Sequence, residues 1–460
     1  MAKYIVLIIL VAAVGGGATA WYRAGSAAGP VIEFLEPTVI GQLGELVMAI
    51  DSPRGELIAL EVTLEQGDIR VPIFSLTGTG PTQLAREGED RLVLRERIGK
   101  RRFEQLTQGT ARIVASAVRP VLFGYREAMT RSERGIEVNL RPPLLGVQSQ
   151  FHYINHGGAE VVVYRVTPAD AASGVRVGEY EYPGFPAAGA GIVGADPSLQ
   201  VAFFSLLWNQ DLDTPISVFA RDQLGNEAST TFAYRTFAKE FRTSRINLSD
   251  NFFSQVVPSI LQNSTDFRVD DPSDMLASYL SINRDLRRDN DAYIASLSAE
   301  TSPEILWRGP FKQLINTAVA SSFADQRDYI YAGEVVDHQT HLGFDLASTA
   351  AAPVLAANRG RVVHAGWLGI YGNCVILDHG MGLQSLYAHL SSIDIRIGDI
   401  VEIDGQLGRS GATGLAGGDH LHFTMLLSGN AVTPIDWWSR QWVEDRILRK
   451  FSVAEERATR

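Results

Sequence analysis

Histidines concentrate towards the C-terminus of this 460-residue chain, and they are the residues best suited to chemistry. Seven of the nine fall in the last 140 residues, at His338, His341, His364, His379, His389, His420 and His422. In the string DHLHF, His420 and His422 are two residues apart in a strand-like run, so a strand would turn both imidazoles to one face. The pair suits metal ligation or acid–base catalysis, although the ordinary alternation of a surface strand explains an isolated H-x-H equally well.

The upstream string HLGFD adds His341 and Asp345, which are four residues apart. Imidazole and carboxylate groups are good zinc ligands, and three protein ligands leave a fourth position for water. Together with His389, the set contains more groups than a three-ligand site needs. The additional imidazoles could stabilise an oxyanion or transfer protons. The combination therefore predicts a hydrolytic zinc site rather than a structural one, which four ligands would close.

The composition disfavours other chemistries. Cys374 is the only cysteine, which excludes an intrachain disulfide and a cysteine-based zinc cluster. The chain carries 41 basic and 52 acidic residues, and its net charge of −11 argues against nucleic-acid binding. The sequence also contains no H-E-x-x-H, phosphate-binding or G-x-S-x-G motif.

Strands are the elements that must position these residues, because short apolar runs with alternating patterns and glycine- or proline-rich turns recur along the chain. We predict a mainly β protein with two tandem Ig-like β-sandwich domains, a helical connector and a C-terminal antiparallel β domain. The connector is interpretable as a lid, a partner-docking arm or a plain spacer, and the spacer is favoured. The predicted boundaries are 1–23 for a membrane anchor or signal peptide, 30–141 and 142–238 for the sandwiches, 239–301 for the connector, 302–440 for the C-terminal domain and 441–460 for a charged surface tail.

The N-terminus predicts export. An uncharged stretch of 19 residues, 4–22, lies between Lys3 and Arg23 and is about long enough to span a bilayer as a helix. An uncleaved anchor in the cytoplasmic membrane is favoured. A cleavable signal peptide is the alternative, because Ala18-Thr19-Ala20 fits the small-residue cleavage pattern.

Three ordered strings between about residues 322 and 438 resemble the lysostaphin-type (LytM-domain) zinc endopeptidases, which cut peptide cross-links in bacterial peptidoglycan. The strings are HLGFDLA, PVLAANRGRVVHAGWLGIYGNCVILDHGMGLQSLYAHL and IRIGDIVEIDGQLGRSGATGLAGGDHLHF. The resemblance implies one Zn²⁺ bound by His341, Asp345 and His422, with His389 and His420 as the catalytic imidazoles.

Two positions depart from the family pattern. Thr424 stands where many relatives have glutamate, and Ala324 stands where glycine is common in an S-x-F-G string. Neither position is a zinc ligand in the family, so the departures leave the implied metal site intact. We expect Ala324 to alter a turn or the rim of the groove.

The resemblance implies an exported zinc metalloendopeptidase of the cell envelope or periplasm. Its substrates would be peptidoglycan stem peptides, and envelope proteins are candidate partners of the sandwiches. Two alternatives stay open, a non-catalytic regulator or scaffold of other wall hydrolases and a zinc protease that acts on envelope proteins. If the connector occludes the groove, the isolated 302–440 fragment should cut faster than the longer exported chain.

Overall fold

The computed structural model describes residues 2–76 and 84–459, and the chain is mainly β, as predicted. Its first element is the helix α1 (Ala2–Gly25). Residues Lys3–Gly25 of this helix are long and apolar enough to cross a membrane, and none of the most apolar window is buried. The helix is therefore compatible with either an anchor or a signal peptide.

Two compact units make up the chain. One contains residues 1–143 and 221–227, and the other contains residues 144–220 and 228–460. The predicted segments from 142 to 460 thus share one compact unit. Their division into separate domains stays a prediction, as does the Ig-like character of the sandwiches.

The first unit is built on two sheets that share a hydrophobic core. Leu46, Met48 and Leu94 of one sheet are buried with Leu60 and Ile113 of the other, because alternate residues of each strand face inward. One sheet has the strand order Val31–Glu36, Gly44–Asp51, Arg91–Ile98, Leu84–Arg86, and the other has the order Val39–Ile40, Arg126–Val138, Gly109–Val121, Ala59–Gln66, Ile69–Ser75.

The second unit begins with a β region of three small sheets. Its central strands are nearly continuous apolar runs, and Phe203 from one of them packs against Trp437 near the C-terminus, with ring centroids 6.1 Å apart. The strand orders are Leu144–Val147, Ala159–Thr167, Leu199–Ser205, Phe185–Pro186; then Tyr180–Pro183, Ala172–Val177, Ile216–Arg221, Glu227–Thr231; and the parallel pair His152–Asn155 with Tyr234–Phe237.

The C-terminal region is organised around a large antiparallel sheet. Its strand order is Ala318–Ser321, Phe344–Ala347, Leu421–Leu427, Leu383–Leu390, Asn373–Gly380, Gly360–Trp367, Ile400–Val401, with Asn430–Val432 paired to Leu421–Leu427. Two three-stranded sheets flank it, with the orders Thr243–Asn247, Asp325–Tyr331, Glu334–His341 and Pro353–Leu355, Gln406–Arg409, Ser392–Ile393.

A strand that lies upstream of the predicted boundary at residue 302 belongs to a sheet of this region. Residues Thr243–Asn247 pair in parallel with Asp325–Tyr331, which in turn pairs with the strand that ends at His341. Thr243–Asn247 is therefore an outer strand of this sheet. A fragment that begins at residue 302 would lose that strand, so functional tests need the full chain.

The segment between residues 250 and 297, here called the helical cover, contains α-helices α2 (Asp250–Asn263), α3 (Met275–Ser281) and α4 (Arg287–Leu297), with a π-helical turn at Ile282–Leu286. Ser249 caps α2 by accepting a hydrogen bond from the backbone N–H of Phe252. The apolar face of the cover packs in one buried cluster with Tyr329 and Ile370 of the C-terminal region. The favoured interpretation of a plain spacer is therefore wrong, because these helices bury their apolar side against the C-terminal region.

The predicted charged surface tail also differs in the structure. It forms the helical segments Arg440–Trp442, Val443–Leu448 (π-helical) and Arg449–Ala458, after the short helix Pro434–Trp438. One face is buried, and Lys450 Nζ lies 2.6 Å from Glu160 Oε1 in a fully desolvated pair. Apolar residues at helical spacing within the charged run explain the difference, since they carry a core face.

Candidate metal centre and active site

Neighbouring antiparallel strands bring the candidate residues together. Asp345 is directly opposite His422 in the strand register, and His389 lies on the strand on the other side of His422. His341 ends the outer strand that leads into this sheet, and His420 immediately precedes the strand of His422. The structure therefore places all five residues of the sequence prediction at one site.

Three potential ligand atoms surround a single point. Asp345 Oδ1 is 2.9 Å from His341 Nε2 and 3.0 Å from His422 Nδ1. The two ring nitrogens are 3.0 Å apart. His341, Asp345 and His422 thus form a cluster that could hold a metal ion.

In both histidines, the ring nitrogen that does not face this point has a hydrogen-bond partner that orients the ring. His341 Nδ1 donates to the carbonyl oxygen of Ser322 at 3.1 Å. His422 Nε2 donates to Thr424 Oγ1 at 3.0 Å, and the Thr424 hydroxyl donates in turn to the carbonyl oxygen of Leu342 at 3.0 Å. These partners assign the tautomers and direct both free lone pairs inward, which is how protein zinc sites orient their imidazoles. The donor set and its orientation fit a zinc ion.

Thr424 therefore has a role at the position where the sequence departs from the family pattern. We expect Thr424→Val, which keeps the shape but removes the acceptor, to lower zinc affinity about 10-fold. Thr424→Ser keeps a hydroxyl and is the matched control, with affinity close to that of the wild type. Competition with a chromophoric chelator measures both, and equal affinities for the valine and serine variants would contradict the role.

Two further imidazoles lie beside the cluster. The ring centroids of His389 and His420 are 4.9 Å apart, and His420 Nε2 is 3.4 Å from Asp345 Oδ1. His389 Nδ1 donates to the carbonyl oxygen of Thr413 at 2.8 Å, and His420 Nδ1 donates to that of Gly418 at 2.8 Å. The Nε2 of His389 is therefore available for proton transfer or for contact with a substrate, whereas the Nε2 of His420 faces Asp345 Oδ1.

Burial and charge set the protonation of these groups. Burial, together with the neighbouring imidazoles of His420 and His422, lowers the pKa of His389 to about 3. Burial likewise lowers the pKa of His422 to about 4. Although burial by itself raises the pKa of Asp345, hydrogen bonds and charge from His341 and the other imidazoles hold it well below its usual range. Burial alone lowers the pKa of His420, but Asp345 outweighs it and raises that pKa. At neutral pH the site thus contains an ionised carboxylate with neutral His389 and His422.

A cavity of about 330 Å³ contains the site. Its walls come from the C-terminal strands and from the helical cover, which contributes Phe252, Tyr279 and Arg287. Only 7% of His389 and 6% of His422 is exposed to solvent. The cavity is large enough for part of a peptide, and residues of the cover form part of its wall.

Polar contacts at Asp337 attach the cover to the C-terminal region. Its Oδ2 accepts a hydrogen bond from Asn283 Nδ2 at 2.8 Å, and its Oδ1 accepts one from Arg284 Nε at 2.8 Å. Arg284 also donates to the backbone carbonyl of Val336 at 2.7 Å. Asp337 and Asn283 are both buried, so these bonds are poorly accessible to competing water.

Reasoning from the sequence missed Arg327, the contact of Thr424 with His422 and the cover residues that line the cavity. Arg327 follows the SSFAD string by two residues, and only the fold brings it to Asp345. For Ala324, by contrast, the sequence does contain a signal of the local backbone conformation. Its φ of +60° lies in the left-handed region, where glycine is the residue of least strain. The glycine common at this position in relatives therefore fits the backbone of this turn.

Comparisons with known proteins agree with this geometry. Residues 339–434 match Peptidase family M23. The DD-carboxypeptidase/endopeptidase Mpg of Neisseria meningitidis serogroup B is 35% identical over 100 residues, which are 21% of this chain and 22% of that protein. The peptidoglycan DD-endopeptidase ShyB of Vibrio cholerae is 31% identical over 114 residues, which are 25% of this chain and 26% of that protein.

The match thus spans about a quarter or less of the length of these relatives. Among solved structures, the catalytic domain of lysostaphin from Staphylococcus simulans is 27% identical, with 27% of this chain and 92% of that chain covered and a TM-score of 0.23. The family match includes both strings that supply the ligand cluster. Residues 339–434 of this chain are a Peptidase family M23 domain.

Proposed function

We propose that this protein is a zinc metalloendopeptidase that hydrolyses peptide cross-links of bacterial peptidoglycan. The observation that carries the proposal is the convergence of His341 Nε2, Asp345 Oδ1 and His422 Nδ1, with two more imidazoles beside them in one cavity. One relative is named a DD-carboxypeptidase/endopeptidase and the other a peptidoglycan DD-endopeptidase, which favours a peptidoglycan cross-link as the substrate.

In the proposed mechanism, His341, Asp345 and His422 bind one Zn²⁺. When bound, zinc polarises the scissile carbonyl and lowers the pKa of an attacking water. His389 and His420 supply the remaining groups. One imidazole accepts the proton of the water, and together they stabilise the developing oxyanion and return a proton to the leaving amine. His389 could accept that proton at Nε2, because its Nδ1 is already bound to the carbonyl oxygen of Thr413.

Location follows from the substrate. Peptidoglycan lies outside the cytoplasmic membrane, so the active site must be exported. We propose that residues 4–22 anchor the protein in that membrane, with the catalytic region in the periplasm or cell envelope. The β regions upstream of the cover would then be available to envelope protein partners.

A second candidate function is a non-catalytic regulator of other wall hydrolases. The burial of the ligand cluster and the presence of cover residues in the cavity wall favour this candidate, since both restrict the access of a polymeric substrate. The intact set of five chemical groups favours the enzyme.

The deciding experiment is mass analysis of muropeptides after the full chain has been incubated with purified sacculi that contain D-alanine–diaminopimelate cross-links. The zinc-loaded wild type, His422→Ala and a variant with a weakened cover, Asp337→Ala, are compared. We expect zinc-dependent loss of cross-linked dimers with at least the weakened-cover form and none with His422→Ala. Bound zinc with intact dimers in both the wild type and Asp337→Ala would reject the enzyme in favour of the regulator.

A further inference from the structure

The two oxygens of the Asp345 carboxylate have different partners. Oδ1 faces His341 Nε2 at 2.9 Å and His422 Nδ1 at 3.0 Å, so it is the oxygen directed at the ligand cluster. Oδ2 points away from the cluster and accepts a hydrogen bond from a terminal nitrogen of Arg327 at 3.1 Å. The carboxylate is thus held from behind while one oxygen faces the metal position.

A buried network fixes the guanidinium of Arg327. The same terminal nitrogen donates to Ser321 Oγ at 2.7 Å, and Nε donates to Asp325 Oδ2 at 3.3 Å. Ser321 in turn donates to Asp325 Oδ2 at 3.1 Å, and Ser244 donates to Asp325 Oδ1 at 2.7 Å. The side chain of Asp325 is only 3% exposed and that of Arg327 is 19% exposed. A guanidinium with three fixed partners in a desolvated position has little freedom to rotate.

The charges of the network favour a positioning role. An isolated arginine beside a zinc ligand would repel the metal. Asp325 lies on the other side of Arg327 and neutralises it, so the row of charges is negative, positive, negative. The arginine can then hold Oδ2 by directed hydrogen bonds while the charge of Asp345 stays available to a cation. Partners of this kind set ligand orientation and metal affinity in zinc proteins.

We propose that Arg327 is a positioning residue that holds Asp345 as a ligand through a single oxygen, and that Asp325 and Ser244 keep Arg327 in place. The inference rests on the proposed zinc site. Ser244 lies on the strand Thr243–Asn247, immediately before the helical cover. The network therefore also connects the entry to the cover with a metal ligand.

The test is the zinc dissociation constant of the full chain, measured by competition with a chromophoric chelator. We expect Arg327→Gln to weaken zinc binding about 10- to 100-fold and Arg327→Lys to weaken it less, because lysine keeps the charge without bridging all three partners. Arg361→Gln is the matched control. Arg361 faces the buried Asp378 at 3.5 Å in the same region, outside the network, and its loss should leave zinc affinity unchanged.

The melting temperature of the zinc-free protein separates positioning from folding. If Arg327→Gln unfolds the metal-free chain, Arg327→Lys decides, and a zinc affinity weaker than that of the wild type supports the proposal. Wild-type affinity in the folded Arg327 variants would overturn it. Failure of the wild type itself to bind zinc would instead reject the proposed function, so the two failures are distinguishable.

Discussion

Replacement of His389 by asparagine is expected to lower the cleavage rate by about 10²- to 10⁴-fold while zinc stays bound, because general acid–base groups contribute on this scale. His389 has a φ of +63°, and asparagine tolerates that left-handed backbone better than most residues. The substitution thus removes the imidazole with little backbone strain. The Nδ1 of His389 is bound to the carbonyl oxygen of Thr413, so Nε2 is the ring nitrogen whose catalytic function the substitution tests. The same range of loss is expected for His420→Ala.

Asp345→Ala should behave differently, with loss of both cleavage and zinc. Bound zinc per chain and the initial rate on a purified cross-linked muropeptide measure the two effects together. His338→Asn is the control, because His338 is an exposed histidine of the same region that pairs with Asp328. A His389 variant that lost zinc to the extent of Asp345→Ala would show that His389 belongs to the metal cluster. A fully active variant would remove it from the mechanism.

The chemistry of the site was more predictable than the structure around it. The pair His420 and His422 lies at strand spacing, and a strand does turn both side chains to the cavity while Leu421 and Phe423 are buried behind it. The prediction succeeds because a period of two is a local property of the backbone. The family match at residues 339–434 covers that pair together with His341 and Asp345.

Contacts between distant segments could not be predicted in the same way. The amphipathic pattern of residues 250–297 predicted helices, but it carried no information about which surface their apolar face would bury. Likewise, Ser244 and Asp325 are 81 positions apart, and only the parallel pairing of their strands brings them together. The tail was expected to be a surface helix, and its buried face was not predicted because its charged residues conceal a narrow apolar stripe ending at Phe451 and Ala454.

Weakening of the helical cover is expected to raise the cleavage rate on sacculi. Asp337→Ala removes the acceptor for Asn283 and Arg284, and hydrogen bonds to charged groups contribute about 1.5–3 kcal/mol each. In an open state water would replace these hydrogen bonds, so the substitution destabilises mainly the closed state. If the free energy of opening decreases by about 2 kcal/mol, the population of the open state becomes roughly 30-fold larger. The rate should rise by about that factor if opening limits access of the polymer to the site.

Asp328→Ala is the matched control, since the Asp328 carboxylate pairs with His338 within the same hairpin and does not hold the cover. Hydrogen exchange of residues 250–297 gives a second measurement that is independent of catalysis. Faster exchange with a higher rate on sacculi would establish the cover as a restraint on the active site. Faster exchange without a change in rate would mean that substrate enters the cavity while the helices stay in place. The cover would then be a wall of the binding groove, and its residues Phe252 and Tyr279 would be the next positions to test for substrate contact.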